Sequence, residues 1–211
     1  LVGLSANAQY SIDVRESNES VSTGNHNALV VTIYENDIKD VEKGWKKALG
    51  KLGSSSTKKG EVLCDDCQDK KGMGENTFDV YSRVEEDKDG AVKLIVAVDL
   101  GGAYMNSGEH GEQFKWFKDY MREFAVEQTK EGLGNEVKLM TKVLEELQDD
   151  QEDIEKSTED LKKDIEDYKK KIEEAEKQIE ENKKLLEEKI KEIELQQKVV
   201  EEIEAKEAAV K

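Results

Sequence analysis

Cys64 and Cys67, in the stretch LCDDCQD, are the two cysteines of a 211-residue chain. Their Cys-x-x-Cys spacing admits three chemistries. In an oxidising compartment two such thiols join as a disulfide, which here closes a very small loop and pins the end of the strand that reaches Cys64. A redox-active pair instead sits at a helix N-terminus, whose dipole lowers the thiol pKa. Here Asp65, Asp66 and Asp69 surround the thiols and favour the protonated form, and no helical pattern follows. A zinc site needs four ligands, and the chain adds only His26 and His110, each in a Gly/Asn-rich stretch that reads as a loop. The residues favour a structural disulfide or idle thiols, with metal binding or redox work as alternatives.

Other stretches offer chemistry on paper. In EEDKDGAV, Glu85, Asp87 and Asp89 take positions 1, 3 and 5 of a calcium loop and Gly90 takes position 6. Position 12 is then Val96, where a bidentate Glu is required, so a hairpin turn is the expectation. DLGGAYMNSG places Gly101 and Gly102 after a strand and before a helix, as phosphate loops do. It contains neither G-x-G-x-x-G nor G-K-[ST], and the glycines read as a strand exit or bulge. Two histidines give no Ser-His-Asp or Cys-His set, and 50 acids single out no carboxylate pair. Trp116 is a candidate binding surface on a helix flank; Trp45 reads as core. No catalytic residue and no cofactor are expected.

The elements that would position these residues fall into two regions. Within residues 9–131, Ala28 to Tyr34 is a β-branched run that reads as a buried strand. Asn36 or Asp37 then caps a helix whose stripe is Ile38, Val41, Trp45, Leu49 and Leu52. GSSSTKKG reads as a loop, and Glu61 to Cys64 begins a short strand. Thr77 to Glu85 alternates, with Phe78, Val80 and Val84 on one face. DKDG turns the chain into a return strand, Ala91 to Leu100. A second helix starts near Ser107 and presents Phe114, Phe117, Met121 and Phe124. Residues 10–27 read as a loosely attached arm with at most a short strand at Ile12 and Val14. The order β-α-β-β-β-α predicts an α+β head, a small antiparallel sheet covered on one face by two helices. Gly132 and Gly134 in EGLGNE mark a joint at 132–135, placed where helices end or kink.

From Glu136 to Lys211 the chain carries 26 acids and 16 Lys, and one heptad register runs throughout. Its a positions include Val137, Leu144, Ile165, Ile172, Ile179, Leu186, Ile193 and Val200. Its d positions include Met140, Leu147, Ile154, Leu161, Tyr168, Ile203 and Val210. Such a/d spacing is a coiled-coil seam. Gln151 and Thr158 interrupt it early, and Asn182, Lys189 and Gln196 make the d column polar late. Glu occupies b in seven consecutive heptads, from 152 to 194, each with Lys four residues on. That orientation stabilises an exposed helix by about 0.2–0.5 kcal/mol per pair, which predicts a solvated outer face. At 1.5 Å per residue the tail would be roughly 110 Å long. The expectation is a homodimer or trimer through this seam, or pairing with a different helical protein. Cross-strand charges leave the orientation open.

A net charge of −17 disfavours nucleic acid and anionic lipid surfaces. The absence of proline from 211 residues suits long helix. No stretch approaches the roughly 20 apolar residues of a membrane span. At the start, LVGLSANA resembles the end of a Gram-negative signal peptide, with small residues in the A-x-A arrangement. The expected cut lies between Ala8 and Gln9, making 1–8 a leader remnant and the product an exported protein of the periplasm or cell envelope. The chain reads as a binding or scaffold protein in which a stalk, 136–211, oligomerises and positions the head.

Overall fold

A computed structural model describes residues 10–209. The expected leader remnant, 1–8, and its cut before Gln9 lie outside the described residues, as does Val210 at the end of the seam. Six strands and two helices follow one another: β1 (Val14–Val21), β2 (Gly24–Ile33), α1 (Ile38–Leu49), β3 (Ser54–Lys58), β4 (Glu61–Cys67), β5 (Phe78–Glu86), β6 (Val92–Asp99) and α2 (Gly111–Ala208). The strands form one sheet in the order β1-β2-β6-β5-β4-β3, every neighbour antiparallel. The class is α+β.

The apolar runs of β2 and β6 follow from burial on both faces. Leu29, Val31 and Ile33 of β2 and Leu94, Val96 and Val98 of β6 point into the main core. Their alternates Ala28, Val30, Ile95 and Ala97 are buried on the opposite face with Val21, against Tyr81 and Tyr104. Strands covered on both sides read as continuous hydrophobic runs. The second core exists because the sheet curls. β1 and β5 are three strand positions apart, about 14 Å in a flat sheet. Yet Arg83 of β5 donates from Nε to the carbonyl oxygen of Ser20 at 2.8 Å and pairs through Nη2 with Glu19 at 3.5 Å.

The main core lies under the helices. Asp37 caps α1 by accepting from the Asp40 amide at 2.9 Å, and Val41, Trp45 and Leu49 are its buried stripe. α2 contributes Phe117, Met121, Phe124 and Ala125. Trp45 stands edge-on to Phe117 and Phe124, with centroids 6.5 and 4.9 Å away. Its Nε1–H donates to Ser82 Oγ at 2.8 Å, and that hydroxyl donates to the Val62 carbonyl at 2.5 Å. The one polar group of the indole is thereby satisfied in a fully buried site.

Three expectations need correction. Residues 10–27 are not a loose arm: β1 pairs along its length with β2, from Val14 opposite Val31 to Val21 opposite Gly24. GSSSTKKG is not a loop: Ser54–Lys58 pairs with β4 through a two-residue turn at Lys59 and Gly60, both at positive φ, the type I′ geometry of tight hairpins. Both are margins of the sheet, held by backbone hydrogen bonds, so neither needs an apolar alternation.

The third correction concerns 132–135. These residues lie inside α2, which is helical from Gly111 to Ala208, so the second head helix and the tail are one element. Gly132 is buried because a backbone packs on it: a Cβ there would overlap the carbonyl oxygen of Glu35. Gly134 faces open space. The first is a close-approach glycine, a use that sequence position alone does not separate from a hinge.

By its contacts the chain divides between Lys142 and Val143 into two units. The first holds the sheet, α1 and the start of α2. The second is helix from Val143 to Ala208, and every described residue of it is exposed. Among its described residues the ion pairs of this unit are Asp160–Lys163, Asp167–Lys170, Glu180–Lys183 and Lys189–Glu192, all three residues apart. The seven Glu-to-Lys spacings of four residues do not close as direct pairs. Long exposed side chains gain little from a fixed partner in water, so the charged face is solvated whichever neighbour each Lys meets.

Candidate functional site

The cysteine pair sits where β4 changes register against β5, since Cys64 faces Val80 and Cys67 faces Phe78. Asp66 takes a positive φ of 51° at this bulge, and its amide donates to Asp79 Oδ1 at 2.9 Å. The bulge turns Asp65 and Asp66 out to solvent and both cysteines inward, each 0% exposed. Cys64 and Cys67 are joined as a disulfide. Gly53 packs on it so closely that a Cβ would lie 2.8 Å from the Cys67 Cα. The bond therefore ties the bulge between core residues, and an attacking thiolate has no surface path to either sulfur.

The two loops that resembled ligand sites are occupied by their own side chains. Asp87 Oδ1 accepts from the amides of Asp89 and Ala91 at 2.9 and 3.0 Å, closing the turn between β5 and β6. Val96, at the twelfth position of the calcium pattern, is buried in β6. Asp99 Oδ1 accepts from Gly101 and Gly102 at 2.9 and 3.0 Å. The amides that a phosphate would need already hold a carboxylate, and positive φ at both positions explains the glycines.

The histidines are apart in role. His110 Nδ1 accepts from the Asn106 amide at 3.3 Å, just before α2. His26 is not in a loop but in β2, its ring stacked on Tyr104 with centroids 3.6 Å apart. Among the described residues no group of three His, Cys, Asp or Glu side chains is placed to hold a metal ion. Trp116 is half-buried. It lies against Gly72, where a Cβ would overlap the indole, and stacks on Tyr120 with centroids 5.3 Å apart. Its ring is thus largely engaged within the head.

Sequence reasoning missed an open cleft of about 650 Å³ lined by Tyr10, Tyr34, Glu35, Asn36, Asp37, Asp40 and Asp89. Tyr10 stacks on Tyr34 with centroids 4.6 Å apart and donates its hydroxyl to Glu35. That hydrogen bond to a carboxylate raises the Tyr10 pKa. Elsewhere, Glu16 is held below the usual carboxylate range, foremost by the Ser107 hydroxyl, which outweighs the opposing effect of burial. The Ser107 amide and Asn27 add to the lowering. Tyr120 is pushed up to about 12 by burial and then by Asp69, and its hydroxyl donates to the Ala48 carbonyl at 2.8 Å. Glu16 and Tyr120 thus serve turn geometry and packing, whereas Tyr10 and Glu35 meet in the wall of the cleft.

An exposed apolar stripe runs along the second part of α2. Leu144, Leu147, Ile154, Leu161, Ile165, Tyr168, Ile172, Ile179, Leu186, Ile193 and Val200 are each between 45% and 67% exposed. They recur at a and d positions along one face, which is apolar area that water would leave on association. Among the described residues no helix is long and apolar enough to cross a membrane.

No family model matches the chain, and no curated protein matches it. Among solved structures the chain is similar to the crystal structure of CalU16 from Micromonospora echinospora. The two share 10% identity with a TM-score of 0.29, over 58% of this chain and 94% of that one. At that distance the likeness carries no argument.

Proposed function

We propose that this is an exported, cell-envelope binding or scaffold protein, acting by assembly and spacing rather than by catalysis. The observation that carries the reading is the row of seam side chains along α2, exposed on one face at heptad spacing. An apolar stripe with flanking charges is what a helix offers to another helix. The head is a small α+β unit positioned by that association. Export is supported by the A-x-A stretch before Gln9 and by a disulfide, which persists in oxidising compartments.

The test is light scattering after gel filtration on the full chain and on a variant with Ile165→Glu and Ile172→Glu. The expected result is an oligomer for the parent and a monomer for the variant, with circular dichroism of the head unchanged. A monomeric parent at high micromolar concentration would remove self-association from the proposal.

A further inference from the structure

We propose that the occupant of the seam is a second copy of this chain running antiparallel, with the two-fold axis passing beside Lys170. The proposal rests on the self-association reading above and specifies its geometry. When two helices of a seam run in opposite directions, an a residue of one faces a d residue of the other, and residues equidistant from the axis oppose each other.

The polar interruptions of the seam are mirror-placed about Lys170. Gln151 and Lys189 are equidistant from it, as are Thr158 and Asn182. Antiparallel pairing thus sets polar against polar in these layers. The intervening layers set Ile154 against Leu186 and Leu161 against Ile179. Between residues 144 and 196 only Leu144 against Gln196 mixes the two characters. A parallel, in-register pair would bury Lys189 against Lys189, two like charges taken from water together. Sliding the antiparallel pair by one heptad sets Ile165 against Asn182.

The flanking charges do not choose the direction, because in the antiparallel pair their attractions and repulsions balance. At e positions Glu155 meets Lys183 and Lys162 meets Glu176, each pair occurring twice by symmetry. Val143 meets Val199 at g. The unfavourable approach of Asp150 to Glu192 is bracketed by Lys189, which already pairs with Glu192 at 2.5 Å within one chain. Lys169 and Lys171 repel their own copies beside the axis, a cost limited by exposure. A mirror pattern has no use against an unrelated helix, and this selects a second copy over a different protein.

The experiment uses the full chain with one added thiol, since Cys64 and Cys67 are joined and buried. Lys171→Cys brings two thiols about 3 Å apart along the axis in the antiparallel pair, whereas Ile179→Cys leaves them about 27 Å apart. A short bis-maleimide is added to each, with light scattering run in parallel. Several-fold greater interchain crosslinking of Lys171→Cys than of Ile179→Cys is the expected result. Preferential crosslinking of Ile179→Cys, or equal crosslinking of both, overturns the antiparallel register. A dimeric mass with no crosslink in either variant also overturns it, and in all these cases self-association stands. A monomeric mass overturns both proposals and leaves the seam to a different helical protein.

Discussion

Substituting Ala at Gly132 and at Gly134 separates two meanings of a glycine in a helix. Both positions lie inside α2, so each Gly→Ala change gains roughly 1 kcal/mol of helix propensity. That gain is common to both and cancels in their difference. What remains is the environment of the new methyl group. At Gly134 it meets open space; at Gly132 it overlaps the Glu35 carbonyl oxygen, a backbone atom with little freedom to retreat. Overpacking of this kind costs about 1–3 kcal/mol. Gly134→Ala is therefore expected to stabilise the protein, and Gly132→Ala to fall about 1–3 kcal/mol below it. In urea, with a slope of about 2 kcal/mol/M, the midpoints would differ by roughly 0.5–1.5 M. Fluorescence of Trp45, fully buried in the head core, reports the transition. If Gly132→Ala proves as stable as Gly134→Ala, the close approach of Glu35 is not what requires the glycine, and the hinge interpretation returns.

Other perturbations have signed outcomes. Replacing both Cys64 and Cys67 by Ala removes a tie across four residues, which chain-entropy reasoning values at about 2 kcal/mol; urea unfolding should show a loss of that order without loss of the sheet signal in circular dichroism. Ser82→Ala leaves the Trp45 indole N–H unpaired in a fully buried site and should cost about 1–3 kcal/mol, whereas Ser82→Thr should recover much of it if its hydroxyl keeps the same bonds. Because the Glu16 pKa is lowered on folding, its contribution is present above the unfolded value and lost as pH falls through the folded one. The Tm of Glu16→Gln should accordingly fall less than the parent's as pH is lowered through the acid range. Tyr120, raised to about 12, contributes below the unfolded value of about 10 and loses that contribution as pH rises toward 12; Tyr120→Phe should flatten the alkaline limb and remove the highest step from the tyrosinate absorbance titration.

Legibility followed the number of buried faces. Ala28 to Tyr34 and the return strand into Leu100 were plain because both faces of β2 and β6 are covered, leaving no polar alternates to blur the run. The Trp45 and Phe117 stripes were plain because a helix against a sheet must bury one face in every turn. β1 and β3 were illegible for the converse reason. Val14 and Val21 are the buried residues of β1, and β3 has none, so their pairing is written in backbone bonds that every residue carries. Lys59-Gly60 makes a tight turn without the Asn-Gly or Asp-Gly that would announce it. At the cysteines, spacing indicated a short loop but not the bulge that hides it. The second core around Tyr81, Tyr104 and His26 depends on the curl of the whole sheet, which no local pattern encodes.

The two marginal strands bear on aggregation. An unpaired strand edge exposes a row of amides and carbonyls on which another chain can polymerise. β3 is five residues long, reads Ser-Ser-Ser-Thr-Lys and is exposed at four of them. β1 carries Arg15, Glu16 and Glu19 along the other edge. An incoming strand would meet charge on one side and a short, polar segment on the other, with no apolar ladder to hold it. The sheet thus resists fibrous growth at both of its margins.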